Sequence, residues 1–493
     1  MKVFLTGATG FIGRALVLAL LQKGHSVVAW VRSPEKARAG LGGNVELLPI
    51  TPEGNEELEA ALEQCDAVIN LAGEPLFQGR WNPRRKNAIY DSRVSLTTRL
   101  VEAMKRVQNP PGVLLSGSAV GYYGDRGDDS LSEDEASGAD FLAKLCKAWE
   151  HAALALSGSP TRVVCLRTGI VLGCGGGALE QLAAVFRTGL GGPLGAGRQF
   201  VPWIHLQDCV ALILRALDDD RLEGPLNLVS PAPVTNAELA KALGRALRRP
   251  AFLPAPGLLL RLTLGEGANA LLASQRCLAD KAKAHGFSYR FESLDSALDD
   301  LLTSREVSLE PLRPGLPAPM GDADYLRQRK PTRYLVSQTV VDAPLAEVFP
   351  FFSQPTNLGL LTPPKLDFQI RRADPTMCAG AAIQYRLRVF GLRIGWHTRI
   401  ERWEAGRHFV DSQIRGPYRS WWHEHHFSQE GGRTVMEDRV YYSVPGGIVG
   451  RLVHRILIAA QLRASFNYRA AAIRFRFGPA PGERSSPIHD PSP

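Results

Sequence analysis

Hydrophobic and polar positions follow two different rhythms along the chain. Up to about residue 303, short unbroken apolar runs alternate with longer stretches of helical spacing. The runs are KVFLTGA, HSVVAWVR, DAVINLAG, VLLSGSA and RVVCLRTG; RALVLALLQKG and SLTTRLVEAMKRV are two of the stretches between them. A strand that is apolar at nearly every residue is buried on both faces, which calls for helices on both sides of a parallel sheet. The first rhythm predicts an α/β doubly wound domain over 1–303. A proline- and charge-rich stretch, EPLRPGLPAPMGDADYLRQRKPTR, interrupts it, and 304–332 reads as a linker.

The second rhythm has period two. LDFQIRRA, AIQYRLRVF, RIGWHTRIERW, HFVDSQIR, WWHEHHFSQ and TVMEDRVYYSV alternate as half-buried antiparallel strands do. Two short helical pieces, PLAEVFPFF and NLGLL, precede them, and one long helix from Gly447 to about Arg474 follows. A strand, two short helices, an antiparallel sheet and a final helix predict an α+β domain over 333–478. The tail 479–493, PAPGERSSPIHDPSP, has the composition of a disordered segment.

Composition adds compartment and charge. With 493 residues, 45% hydrophobic and 22% charged, the chain is a globular protein of more than one domain. Its seven cysteines include no C-x-x-C pair, which suits a reducing compartment and argues against disulfides or structural zinc. The opening MKVFLTGATGFIG lacks a cleavage pattern, and no stretch reaches the ~18 uncharged apolar residues of a membrane span. The expected location is cytoplasmic. Of the net charge of +9, residues 331–493 carry +8, nearly all of it arginine. That suits an anionic ligand or surface, though a solvated basic face is the simpler reading. No nucleic-acid partner is assigned.

Candidate chemistry begins at TGATGFIG. Gly7, Gly10 and Gly13 follow an apolar strand and open a helix, with Phe11 and Ile12 in its first turn. Glycines there let the backbone turn tightly and approach a pyrophosphate, which meets the helix N-terminus. At the end of the second strand AWVRSPEKAR offers Arg32 and Ser33, with no acid before Glu35. An arginine accommodates a ribose 2′-phosphate, so NADP(H) is favoured over NAD(H).

TGATGFIG, NLAG, RTGIVLG and WIHLQD resemble the extended short-chain dehydrogenase/reductases. RWNPRRKNAIYDSR, SGSAVGYYG and GAGRQFVPWIHLQD are similar to the atypical, sugar-nucleotide epimerase-like branch, the NAD-dependent epimerase/dehydratase family. The resemblance spans residues 1 to about 303 and implies a Rossmann domain with a small cap over about 240–303. It implies that Ala72, Gly73 and Ser116 contact the cofactor.

In that superfamily a serine, a tyrosine and a lysine four residues later carry the proton chemistry. Ser118 matches the serine. The other two should lie in ADFLAKLCKAWE, where one register gives Phe141 and Leu145 and the other Leu142 and Cys146. Neither supplies a phenol or an ammonium. Tyr122 and Tyr123 are the nearest substitute acids, with strand-end packing as their plain alternative. Otherwise the chemistry needs no such acid, or the domain binds cofactor without turnover. His205 and Asp208 read as structural, while Arg80 and Arg93 are candidates for an anionic substrate group or for surface ion pairs.

The second domain resembles the START-like (SRPBCC) helix-grip fold of polyketide cyclases and coenzyme-Q-binding proteins, through TVVDAPLAEVFPFFSQPTN, LTPPKLDF, GPYRSWWHEHHFSQ and the final helix. The resemblance implies a cavity for an apolar or amphipathic ligand. In WWHEHHF, His423 and His425 share one strand face; two histidines without a third ligand, such as His397, favour cavity lining over metal, and no metal is assigned. Val449, Leu452, Val453, Ile456 and Leu457 of the last helix are expected to cover its own sheet. The chain thus reads as an NADP(H)-binding, oxidoreductase- or epimerase-like protein acting on a small-molecule substrate, fused to a ligand-binding domain. The alternative is a non-catalytic redox sensor.

Overall fold

The computed structural model describes residues 1–51, 55–77, 79–303, 307–320 and 323–479. The tail expected to be disordered lies outside these residues apart from Pro479. The chain divides into two compact units, the first built mainly from residues up to Thr303 and the second mainly from Ser304 onward.

The first unit is built on seven parallel strands: β1 (Lys2–Thr6), β2 (Ser26–Val31), β3 (Glu46–Pro49), β4 (Ala67–Asn70), β5 (Val113–Ala119), β6 (Arg162–Thr168) and β7 (Gly224–Leu228). Their order is β3-β2-β1-β4-β5-β6-β7. The order reverses between β1 and β4, and ligands of open α/β sheets bind outside the strand ends at such a point. Helix α1 (Phe11–Gln22) follows β1, α2 (Phe141–Leu154) lies between β5 and β6, and α3 (Leu206–Asp218) precedes β7. Phe4, Val28, Val68, Leu114 and Val163, one from each of five strands, join Leu100, Met104 and Leu156 in one buried cluster. Burial on both faces explains why these strands read as unbroken apolar runs.

The second unit holds an eight-stranded sheet: β8 (Val307–Pro311), β9 (Arg333–Val341), β10 (Gln369–Ala373), β11 (Ala382–Val389), β12 (Leu392–Glu404), β13 (His408–Arg415), β14 (Ser420–Glu430) and β15 (Arg433–Ser443). The order is β8-β9-β15-β14-β13-β12-β11-β10, every pair antiparallel. Helix α4 (Gly447–Val453) runs through a π-helical turn, His454–Ile458, into α5 (Ala459–Phe477). Leu462 and Phe466 of α5 pack on Leu335, Trp421, Val440 and Tyr442 of the sheet.

Two expectations need correction here. The stretch read as a linker is built into this sheet where it is described. Strand β8 pairs with β9, and Leu312, Leu316, Tyr325 and Leu326 pack on Trp422, Tyr441, Tyr334 and Val410. The phenol of Tyr325 donates to the Trp421 carbonyl at 3.0 Å and accepts from the Trp421 amide at 3.2 Å. Prolines that lack amide donors are tolerated at an edge strand and in its flanks, which is why a proline-rich segment can serve. The second correction concerns the final helix. Val449, Leu452, Ile456 and Leu457 are 69%, 57%, 62% and 44% exposed, so they do not cover the sheet; α5 does.

Candidate functional site

The turn after β1 is shaped so that only glycine fits. Gly7 has φ of 72°, and a side chain there would sit 2.6 Å from the Leu71 carbonyl oxygen. The Gly10 amide closes the turn on the Gly7 carbonyl at 2.9 Å, and Gly10 caps α1 without any side-chain acceptor. A Cβ on Gly13 would approach the Gly7 carbonyl oxygen to 2.1 Å, so the third glycine sets how closely helix and turn pack. Phe11 and Ile12 are half-buried in the first turn of α1. This is a cradle that a side chain would fill, open at a helix N-terminus, and it fits a pyrophosphate.

Polar groups beneath the turn fix the neighbouring loop. Thr6 Oγ1 donates to Asn70 Oδ1 at 2.6 Å, and the Ala72 amide donates to Thr6 Oγ1 at 3.1 Å. Asn70 Nδ2 reaches Thr97 Oγ1 at 2.8 Å, which also accepts from Trp149 Nε1 at 2.9 Å. Ala72 and Gly73 are thereby held just past the end of β4. Ser116 is fully buried, and its hydroxyl finds no hydrogen-bond partner among the described residues.

At the end of β2, Arg32 projects with 82% of its side chain exposed and pairs with Glu74 at 2.9 Å; Ser33 beside it is half-buried. Glu74 also lies 3.5 Å from Arg85. Arg93 is built into the fold. Its guanidinium lies against Gly73, donates to the Glu74 carbonyl at 3.0 Å and stacks over Trp149 at 5.4 Å. Burial holds its pKa below the usual arginine range. Arg80 is exposed, with its stem beside Gly265. The two arginines therefore have different neighbours and do not form one anion clamp.

Helix α2 carries the stretch from which the tyrosine and lysine are missing. Asp140 caps it through the Ala143 amide at 2.8 Å. Leu142 and Cys146 lie against Gly121, and Phe141 packs on Trp81 at 5.3 Å between ring centroids. Burial raises the Cys146 thiol to about 12, so it is no nucleophile at neutral pH. One turn beyond, Glu150 points inward and meets Arg167 of β6 in a two-pronged pair, both contacts at 2.9 Å. Ser118 Oγ donates to the same Glu150 carboxylate at 2.6 Å. Arg167 also donates to Tyr123 Oη at 3.0 Å and to the Glu133 carbonyl at 2.8 Å. Tyr123 Oη donates to Asn227 Oδ1 at 2.7 Å, and the Asn227 amide donates to Glu133 Oε1 at 2.9 Å.

The consequences differ for the three candidate acids. Ser118 is 5% exposed and committed to Glu150. Tyr123 is fully buried, with its phenol engaged on both sides, and burial pushes its pKa up. Tyr122 alone keeps partial exposure; its ring lies face-on to the Arg167 guanidinium at 3.6 Å. Sequence reasoning missed Glu150 and Arg167. The available signal was a pair of opposite charges inside two apolar runs, AWEHAAL and RVVCLRTG, because a charge survives there only if paired.

His205 and Asp208 are structural. His205 Nδ1 caps α3 by accepting from the Gln207 amide at 3.1 Å, and its ring stacks on Phe291 at 3.8 Å. Asp208 accepts from the Arg290 and Phe291 amides at 2.8 and 3.0 Å.

The second unit encloses a cavity of about 580 Å³. Tyr385, Trp396, Tyr418, Trp421 and Phe466 contribute aromatic wall, and Asp411, His423, His425 and Arg469 form a polar patch in it. Among the described residues, no helix is long and apolar enough to cross a membrane.

Residues 3–228 match the family described as NAD dependent epimerase/dehydratase, and residues 255–301 match a domain of unknown function, DUF1731. Epimerase family protein SDR39U1 of Mus musculus is 40% identical over 306 residues, which cover 61% of this chain and 100% of that protein. Epimerase family protein Mb2239 of Mycobacterium bovis is 40% identical over 299 residues, 60% of this chain and 96% of that protein. The crystal structure of human epimerase family protein SDR39U1 (isoform 2) with NADPH superposes with a TM-score of 0.56 at 37% identity, covering 62% of this chain and 99% of that one.

Proposed function

The chain belongs to the NAD-dependent epimerase/dehydratase family, and on that premise we propose that its first unit binds NADP(H) and acts on a small-molecule substrate. The glycine cradle after β1 carries this reading: Gly7 and Gly13 exclude a side chain, Gly10 leaves little room for one, and the turn they shape opens at a helix N-terminus where a pyrophosphate is expected to bind. Arg32, free to swing from Glu74 at the surface, is the group for the 2′-phosphate. Support for the phosphorylated cofactor comes also from the NADPH in the human relative's structure. When bound, the cofactor supplies hydride. The protein's part is to hold it and to place a proton donor, and Tyr122 is the candidate phenol not sealed by burial.

Arg32 should favour NADPH over NADH by ~1–3 kcal/mol, the worth of a charge-assisted hydrogen bond. Thermal shifts with matched concentrations of the two cofactors measure this, and Arg32→Ala should equalise them. Equal shifts in the unaltered protein would refute the preference.

A second reading, a redox sensor that binds cofactor without turnover, draws on the buried Glu150–Arg167 pair. That pair engages Ser118 and Tyr123 in hydrogen bonds within the fold. NADPH oxidation across a panel of carbonyl compounds separates the two readings. For the second unit, we propose a START-like helix-grip domain holding an apolar or amphipathic ligand, supported by the aromatic cavity beneath α5. Seven free cysteines support a cytoplasmic location.

A further inference from the structure

We propose that Asp411, His423 and His425 form a binding site for one divalent first-row transition-metal ion in the wall of the second unit's cavity. The three residues come from neighbouring strands: Asp411 of β13 stands opposite His423 of β14, and His425 is two residues along on the same face. One ligand atom from each lies within 4.8 Å of the other two. His423 Nδ1 is 3.6 Å and His425 Nε2 3.0 Å from Asp411 Oδ1. Donors that share one ion at ~2.1 Å stand about 3.0–3.4 Å apart in octahedral or tetrahedral geometry, so these separations need little adjustment.

The outer nitrogens argue for the same site. His423 Nε2 and His425 Nδ1 both meet a single carboxylate oxygen, Asp438 Oδ1, at 3.1 and 2.7 Å. Arg469 fixes that carboxylate from the other side, at 3.0 Å to Oδ2 and 3.2 Å to Oδ1. A carboxylate behind each histidine, setting its tautomer and ring angle, is the usual support of a metal-binding imidazole. His425 Nε2 lies 3.0 Å from the Asp411 oxygen, while its Nδ1 faces both Asp438 Oδ1 and the donating Arg469 guanidinium. A nitrogen and a carboxylate oxygen at that distance are joined by a proton or by a cation. His423 Nδ1 points the same way and stands beyond hydrogen-bond reach of Asp411.

Charge favours the cation. Two carboxylates, Asp411 and Asp438, face one guanidinium, Arg469, which lies 3.1 Å from His425 Nδ1. With neutral imidazoles the cluster carries a net negative charge that a divalent ion would reverse to a single positive one. Nitrogen and oxygen donors without thiolate suit Zn²⁺, Co²⁺, Fe²⁺ or Mn²⁺. Three protein ligands leave coordination positions open, and all three residues line the aromatic cavity. The guest that completes the site is then an apolar molecule carrying an oxygen donor such as a hydroxyl, carbonyl or carboxylate. This inference deepens the ligand-binding reading of the second unit and is independent of the cofactor reading of the first.

The test uses the full, tag-free chain, stripped with a chelator and titrated with Co²⁺ alone by visible absorption and with Zn²⁺ alone by calorimetry. One equivalent should bind, giving cobalt d–d bands. Asp411→Asn and His423→Gln should each abolish stoichiometric binding, and Asp438→Asn should weaken it about 10–100-fold. His426→Gln, on the opposite face of β14 beside Glu424, should change nothing. Circular dichroism checks that each variant is folded. If the ligand variants fail to fold, the unaltered protein still decides, through stoichiometry and a cobalt spectrum that shows nitrogen ligation. Failure of the unaltered protein to bind either ion stoichiometrically would mean that a proton, not a metal, joins Asp411 to His425 and would overturn the proposal. So would binding that survives both Asp411→Asn and His423→Gln. NADPH thermal shifts on the same samples report on the first unit separately.

Discussion

Glu150 and Arg167 decide how the centre of the first unit is used. Their side chains are 7% and 4% exposed, and Arg167 touches Glu133, Tyr122 and Tyr123 as well. Removing one member of a buried pair leaves the other charge uncompensated, at a cost of about 3–5 kcal/mol. Glu150→Gln should therefore lower the urea-unfolding free energy of the first unit by about that amount. Tyr123→Phe should cost about 1–3 kcal/mol, because the Asn227 and Arg167 groups it leaves are buried. Tyr122→Phe should leave stability nearly unchanged and, if the protein turns over, reduce the rate by ~10²–10⁴. A Tyr122→Phe protein as active as its parent would remove that phenol from the chemistry. The glycine turn was legible in the sequence, since spacing and strand context specify it without any distant residue. The Glu150–Arg167 pair was not, because its members are 17 positions apart on different elements and only the packing of α2 on the sheet joins them.

Among elements, five of the seven parallel strands and the antiparallel strands from β9 to β15 declared themselves by their hydrophobic pattern, whereas β3, β7 and the proline-rich stretch did not. Its prolines and charges outweigh the short alternation VSLEP that forms β8. Nor does its sequence reveal that Leu312, Leu316, Tyr325 and Leu326 cover one face of the sheet while α5 covers the other. The same limit applies to the last helix. Its apolar positions give the period but not which turn reaches the sheet, and the turns before Ala459 keep Ile448, Val449 and Leu452 in solvent. A fragment spanning 307–479 should unfold cooperatively at a higher urea concentration than one spanning 333–479, which uncovers Trp422 and Tyr441 and frees the edge of β9. Equal midpoints would show that the stretch contributes no stability.

At the scale of the whole molecule the two units have separate cores and different charge, with nearly all of the excess arginine in the second. Calorimetry should show two transitions, of which NADPH raises only one, by about 2.7 kcal/mol at a hundred times its dissociation constant. A single transition shifted as a whole would show the units to unfold together. The strand order of the second unit also sets a timetable for its birth on the ribosome. Strand β9 pairs with β15, and about 100 residues separate them, so at ~5–20 residues per second β9 is made roughly 5–20 s before its inner neighbour exists. The meander from β10 to β14 joins strands adjacent in sequence and can assemble as it emerges, but the sheet stays open on one side until β15 has been made. Between the making of β9 and that of β15, then, the nascent chain carries a finished first unit and an unclosed sheet, and chaperone capture or a premature stop acts most strongly in that interval.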